Sequence, residues 1–389
     1  MPAIMPRLLL FIGLACLLLG AAALTTAQVD SSGVTPYEWN LPAGFPPPLV
    51  PETNPMTVEK VELGRYLFYD QRLSGNGTLA CASCHLQALA FSDGRPVGIG
   101  STGERTPRNS MALVNVVYNA TFTWAHPNLI ELERQILIPM FGEFPIEMGI
   151  TGSEDEVLAR LRADARYQSL FGAAFPSEAA PVSFANMVDS LASFVRALIS
   201  GNSAYDRYLY GRDQSALSES AQRGMDLFLS ESLECHHCHT GFNMTISTVH
   251  ANTTFFDRPF FNTGLYNIGG TGAYPAPNVG IFEFTQQPQD MGKFRPPTLR
   301  NIELTAPYMH DGSIATLDEV IDFYERGGRL IESGPDAGDG RENHYKSGFI
   351  PGFVLTPQER EDLVNFLKSL TDTTFITDPR FADPFAANP

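Results

Sequence analysis

The chain has 389 residues, with 43 Asp plus Glu against 26 Lys plus Arg and a formal net charge of -17, which excludes a basic nucleic-acid-binding surface. With 43% hydrophobic and 18% charged residues, 27 Phe among them, it can bury one or two sizeable cores and is no disordered polypeptide. The length favours two domains over one.

Residues 8–24, LLLFIGLACLLLGAAAL, form the one long apolar run, preceded by Arg7 and followed by TTAQ. This is the layout of a secretory signal, and it predicts a signal peptide over residues 1–27 with cleavage after Ala27. The alternative is an uncleaved anchor, since the run is nearly long enough to span a bilayer. Apolar residues continue past Cys16, which disfavours a lipoprotein. An exported protein of the periplasm, with no membrane span in the mature chain, is the expectation. Next comes PAGFPPPLVPETNP, Pro42 to Pro55, read as part of an extended N-terminal strap over residues 28–55.

Outside the signal the cysteines are Cys81, Cys84, Cys235 and Cys238, and they sort into CASCH (Cys81 to His85) and CHHCH (Cys235 to His239). Both are CxxCH, the attachment signature of c-type haem. Two thiols separated by two residues can add to the two vinyl groups of one porphyrin, and the adjoining His then lies under the iron as its proximal ligand. Two covalently bound haems are therefore expected, with no cysteine left for a disulfide. His236 and His237, in the variable positions of the second motif, read as polar residues at the haem edge.

A helical pattern precedes each motif. VEKVELGRYLFYDQRLS and SESAQRGMDLFLSESLE share Gly-x-x-Leu-Phe, at Gly64 to Phe68 and Gly224 to Phe228, as a duplicated module would. Two later segments read as the helices that pack across them. Residues 184–200 carry Met187, Leu191, Phe194, Val195 and Leu198 on one face, and Thr356-Pro357-Gln358-Glu359 is a capping box opening a helix with Leu363, Phe366, Leu367 and Leu370 inward. Residues 240–298 and 332–351 are rich in Gly, Pro and Asn and read as loops.

The sixth iron ligands decide between electron carrier and enzyme. No His stands between His85 and Asn109, and Met111 lies just beyond, so the first haem is read as open. Gln135, Glu143 and Glu147 are the polar residues of QILIPMFGEFPIEMG, and a carboxylate near an open iron can move the proton that peroxide cleavage requires. For the second haem the possible sixth ligands are Met244, His250, Met291, Met309 and Tyr324. Tyr324 lies on a short helix capped by Thr316 to Glu319 and stopped by Gly327-Gly328, on the inward face with Leu317, Val320 and Ile321.

VELGRYLFYDQRLSGNGTLACASCH, RTPRNSMALVNVVYN, EMG, RGMDLFLSESLECHHCH and FRPPTLRNIELTAPYMHDGS together resemble the bacterial dihaem cytochrome c peroxidase and MauG superfamily over essentially the whole mature chain. EWNLPAGFPPPLVPETNPMTVEKVELG and MFGEFPIEMG further resemble the MbnH-type dihaem enzymes. The resemblance implies a mostly α fold of two c-type cytochrome domains, each with one covalently bound haem, packed around an interdomain interface. It implies a peroxide-reactive N-terminal domain over residues 56–205, an electron-transfer C-terminal domain over 206–375, and a tail over 376–389.

Carried onto this chain, the resemblance makes His85 the proximal ligand of the peroxide-reactive haem and His239 that of the second. The family's other ligand to the second haem, counted from the His of APYxH (here His310), falls on Tyr324. Conventional peroxidases have Met there, and MauG and MbnH-type enzymes have Tyr, whose phenolate favours high-valent iron. The interhaem tryptophan matches Trp124, and the distal Gln and Glu match Gln135 and Glu147. Glu143 is a second acid in a loop two residues longer than in the peroxidases. An interhaem calcium ion matches Asn109 by side chain and Thr305 and Pro307 by backbone carbonyl, a hard-oxygen set. The surface tryptophan of MauG is replaced by Leu233, and Trp39 and Trp124 are the chain's two tryptophans.

The resemblance thus implies an enzyme that uses hydrogen peroxide to reach a high-valent dihaem state and oxidises a partner protein at tryptophan. For an MbnH-type enzyme the partner is an MbnP-like copper-binding protein whose tryptophan becomes kynurenine. The alternatives are a conventional peroxidase fed by a small electron-donor cytochrome, and a dihaem electron carrier without catalysis.

Overall fold

The computed structural model describes residues 33–386. The signal segment, its cleavage point and the start of the strap lie outside them. The described chain is mostly helical: α1 (Val58–Tyr69), α2 (Leu132–Phe141), α3 (Glu154–Arg162), α4 (Ala165–Ala174), α5 (Phe184–Ala197), α6 (Ala204–Leu209), α7 (Glu219–Phe228), α8 (Phe282–Thr285), α9 (Leu317–Glu325) and α10 (Pro357–Lys368). Strand is confined to two antiparallel pairs of two residues each. β1 (Phe261–Asn262) pairs with β2 (Lys293–Phe294), and β3 (Leu330–Ile331) with β4 (Gly338–Asp339).

Two helix crossings organise the molecule, and they explain the repeated Gly-x-x-Leu-Phe. On α1, a Cβ at Gly64 would stand 1.9 Å from the Ser190 carbonyl oxygen of α5; on α7, a Cβ at Gly224 would stand 1.9 Å from the Asp362 carbonyl oxygen of α10. Only a residue without a side chain lets the helix backbones meet this closely. One turn on, the repeated Phe fills the space beside the crossing: Phe68 packs on Phe194 at 5.2 Å, and Phe228 on Phe366 at 5.1 Å. All four rings are buried.

The helix starts are set by caps. The Thr57 hydroxyl accepts the Lys60 N–H at 3.2 Å to open α1. Thr356 with Glu359, and Thr316 with Glu319, close capping boxes at α10 and α9, satisfying donors that the first turn leaves free. Met187, Leu191, Phe194, Val195 and Leu198 are all buried, as their periodicity predicts. Helix α5 is buried on its other sides too, which periodicity does not predict. Ser190 and Ser193 donate to the carbonyls four residues back at 2.7 and 2.8 Å, and Arg196 pairs with Glu133 at 2.7 Å. Its polar face is thus satisfied internally instead of by water.

The buried apolar residues divide into one large cluster around α1 and α5, another around α7, α9 and α10, and a small third of Phe45, Val117 and Tyr118. The C-terminal segment crosses back to the first cluster, where Phe375 and Phe381 are buried and Tyr69 donates its hydroxyl to the Phe381 carbonyl at 2.7 Å. The strap acts as a clasp. Phe45 packs on Tyr118 and Phe242, one from each half, and lies 4.8 Å from the Arg300 guanidinium, itself paired with Asp206 at 2.8 Å. Further bonds sew the halves together: Asn109 N to His310 O at 2.8 Å, Arg295 N to Trp124 O at 2.8 Å, and Asn115 to Asn243 at 3.1 Å.

Candidate haem-binding and active site

The two CxxCH motifs adopt the same local structure. Each begins with a single 3₁₀ turn, Cys81–Ser83 and Cys235–His237, after which the motif histidine donates its backbone N–H to the first cysteine's carbonyl at 3.0 Å. The four cysteines are unpaired. Burial pushes the Cys81 and Cys235 thiols up to about 12 and the Cys84 and Cys238 thiols to about 11, unlike the depressed thiols of redox CxxC sites.

Both motif histidines are oriented alike. His85 Nδ1 lies 2.8 Å from the Phe91 carbonyl, and His239 Nδ1 lies 3.1 Å from the Pro297 carbonyl. A carbonyl can only accept, so Nδ1 carries the proton and Nε2 presents its lone pair, as an iron ligand requires. Burial holds both imidazoles neutral, lowering His85 and bringing His239 down to about 4.

Around the second motif lies a largely apolar cavity lined from both halves, by residues between 109 and 124, between 294 and 310, and on α9 and α10, with Cys235, Cys238, His239, Met309 and Tyr324 in its lining. The Tyr324 phenol makes no hydrogen bond among the described residues and lies within electrostatic reach of both motif thiols; burial raises its pKa well above the ordinary range. Met244, His250 and Met291 are not part of the lining, so of the five possible sixth ligands only Met309 and Tyr324 face the space. Two further polar groups in this apolar wall lack a natural partner. Arg295 is buried, its Nε donating to the Thr123 carbonyl at 3.1 Å and its Nη2 reaching Met111 Sδ at 3.4 Å, with burial pulling its pKa to about 10. His310 stacks on Phe294 at 3.7 Å while its buried Nε2 has no partner. A buried guanidinium without a carboxylate is costly. A haem, with thioether positions, an iron and two propionates, fits this set: Cys235, Cys238, His239 and Tyr324 would hold the ring and iron, and Arg295 would meet a propionate.

The residues between and beyond the motifs fall as follows. Trp124 also lines this cavity, and its indole N–H donates to the Asn109 carbonyl at 2.8 Å. Asn109, Thr305 and Pro307 line the same space from the two halves, with the Asn109 amide anchored to the Arg95 carbonyl at 2.8 Å. Two acids lie near the first motif: Asp93, which acts on Cys84 and His85, and Glu147, which acts on Cys81 and Cys84 and whose own pKa burial alone raises. Gln135, on α2, has a buried Oε1 without a partner. Glu143 instead stays exposed on the turn before Phe144. Leu233 is buried. Sequence reasoning gave no role to Arg295 or to the unpartnered His310 Nε2. Both sit in or just after the long aperiodic stretch, where the one available signal was a lone Arg in FRPP.

A family model described as Di-haem cytochrome c peroxidase matches residues 58–214. Cytochrome-c peroxidase IdrP1 of Denitromonas iodatirespirans is 33% identical, over 92% of this chain and 93% of its own. Methylamine utilization protein MauG of Methylorubrum extorquens is 34% identical, over 82% of this chain and 80% of its own. The chain belongs to the dihaem cytochrome c peroxidase and MauG family. As a member it is a dihaem oxidoreductase, and the family implies covalently bound haem. A solved MauG-like protein associated with microbial copper homeostasis is 56% identical, covering 90% of this chain and all of that one (100%), with a TM-score of 0.88. The family contains both protein-modifying MauG and cytochrome c peroxidases, so membership establishes the enzyme class and leaves the electron source to the site.

Proposed function

We propose that this enzyme uses hydrogen peroxide to oxidise a partner protein at tryptophan, in the periplasm, rather than to consume peroxide with electrons from a small cytochrome. The observation that carries the proposal is the half-buried Tyr324 phenol, which lines the cavity that holds His239 and makes no hydrogen bond among the described residues. A phenolate ligand favours the oxidised states of iron, whereas a thioether raises the potential and favours the reduced state. The 56% identical MauG-like relative, associated with copper homeostasis, supports an MbnP-like copper-binding protein as the partner, with kynurenine as the product.

Bound haem supplies peroxide activation and storage of oxidising equivalents. The chain's own residues would do the rest. His85 and His239 anchor the two irons from the motif side, each with its Nδ1 proton held by a carbonyl. Glu147, kept protonated to higher pH by burial, would exchange a proton with peroxide, and Gln135 would hold the peroxide in place; Glu143 stands exposed to solvent. Trp124 connects the two halves electronically. Asn109, Thr305 and Pro307 would hold a calcium ion between them. The division into haem domains at 56–205 and 206–375 belongs to the same proposal.

One observation favours the second reading, a conventional peroxidase: Met309 lines the same cavity as Tyr324. The test is direct. The dihaem protein is mixed with peroxide and either a tryptophan-bearing copper-binding partner or a reduced small cytochrome. The proposal expects a mass change at a partner tryptophan and slow oxidation of the cytochrome. Rapid cytochrome turnover with an unmodified partner would establish the conventional peroxidase instead.

A further inference from the structure

The second attachment motif differs from the first at its two variable positions, where Ala82 and Ser83 are replaced by His236 and His237. The structure gives these histidines a common neighbour. His236 Nε2 lies 3.3 Å from one oxygen of Glu231, and His237 Nε2 lies 3.3 Å from the other. Glu234 adds a second carboxylate 2.8 Å from His237 Nε2. One ligand atom from each of Glu231, His236 and His237 lies within 4.8 Å of the others. The two imidazoles are 4.2 Å apart, and His237 is held in place by stacking on Phe349 at 4.3 Å with planes 17° apart.

We infer that Glu231, His236 and His237 form a binding site for a late first-row divalent metal ion at the exposed edge of the second haem-attachment loop. The inference is independent of the proposed reaction. Metal bonds of about 2.0–2.2 Å to nitrogen and oxygen at tetrahedral angles put neighbouring ligand atoms about 3.3–3.6 Å apart; each imidazole stands 3.3 Å from one of the two Glu231 oxygens, and small side-chain rotations bring one atom of each residue, already within 4.8 Å of the others, to that spacing. The donor set decides the ion. Two imidazoles and a carboxylate suit copper or zinc, while calcium and magnesium seek oxygen alone. Affinity for such a site rises along the first row to Cu(II), so Cu(II) binds most tightly, ahead of Zn(II). Three protein donors leave a position open to water or to a docking partner's side chain. Hydrogen bonding to Glu231 without a metal needs both rings to carry their protons on Nε2. Coordination needs both lone pairs there, so the two arrangements differ measurably.

The experiment titrates the intact dihaem protein with Cu(II) alone and, separately, with Zn(II) alone, by calorimetry, and records the electron paramagnetic resonance of the bound Cu(II). The expected result is one tight site per chain whose spectrum shows coupling to two imidazole nitrogens. Replacing His236→Ala together with His237→Ser writes the first motif's residues into the second; it should remove this site while both haems remain attached. Glu231→Gln, which leaves the motif untouched, should weaken Cu(II) by about tenfold or more. Any of three outcomes overturns the inference: no stoichiometric Cu(II) binding, binding that persists unchanged in Glu231→Gln, or a spectrum with fewer than two imidazole nitrogens.

Discussion

The crossing of α7 and α10 gives a substitution whose cost can be worked from the geometry. In Gly224→Ala the new Cβ would lie 1.9 Å from the Asp362 carbonyl oxygen, 2.4 Å from its carbon and 2.9 Å from Phe366 Cβ, where real Cβ contacts do not fall below 3.0 Å. The obstacle is helix backbone, which cannot rotate away, so the helices have to separate by about 1 Å. A gap of that size forfeits about a quarter to a half of each dispersion contact across it, and Phe228, Leu363 and Phe366 are buried there. Overpacking of this kind costs about 1–3 kcal/mol, and each kcal/mol lowers Tm by about 2–4 °C in a cooperative unit of about 150–250 residues, the size of one half of this chain. Gly172→Ala is the control: Gly172 lies within α4 with nothing within 4 Å of the added Cβ, so the change should be neutral or stabilise by about 0.5–1 kcal/mol. The thermal unfolding midpoint of the dihaem protein, followed by circular dichroism, should therefore fall for Gly224→Ala and stay level or rise for Gly172→Ala. A Gly224→Ala protein melting within about 1 °C of the parent would refute the role assigned to the repeated glycine.

Glu147→Gln should slow the reaction of the ferric protein with peroxide by about a hundredfold or more, while Glu143→Gln leaves it near the parent rate; stopped-flow absorbance checks both, and equal effects would remove the distinction between them. Asp362 is held down to about 2, from 3.8, by its hydrogen bonds from Arg223 and then Ser220. A depressed carboxyl stabilises the fold above its unfolded value and loses that contribution as pH falls through the folded one. Acid unfolding should thus steepen between about pH 4 and pH 2, and Asp362→Asn should flatten that window while lowering stability at neutral pH. Because both CxxCH pairs are intact, intact-mass measurement should show two haems that survive acid acetone, and one haem or none would contradict the attachment sites.

What the sequence made legible is what local chemistry imposes. CxxCH is fixed by covalent attachment within five residues, and the caps of α9 and α10 by hydrogen bonds within four. The shared Gly-x-x-Leu-Phe reported a long-range contact only because it occurs twice, at Gly64 and Gly224. The inward face of α9 pointed to Tyr324, but only the folded cavity shows that its phenol shares a space with His239 and lacks a partner. Other features depend on contacts distant in the chain and leave no periodic trace. The burial of Ser190, Ser193 and Arg196 on α5 depends on Glu133 and on the neighbouring helices. The isolation of Arg295 depends on aperiodic segments folding over the second motif. Phe381, in a segment read as a tail, is buried because the chain crosses back to α1. The difference in burial between Glu147 and Glu143 is one that alternating polar and apolar residues in a Gly- and Pro-containing loop do not encode.

The central claim is that Tyr324 is the second haem's outer ligand, and Tyr324→Phe tests it most directly because it removes one oxygen and keeps the ring's packing. Electron paramagnetic resonance of the ferric dihaem protein should lose the low-spin signal of the second haem in this variant and retain it in Met309→Leu, with partner oxidation abolished only in the former. An unchanged low-spin signal and intact partner oxidation in Tyr324→Phe, with both lost in Met309→Leu, would contradict the account and make Met309 the second haem's outer ligand.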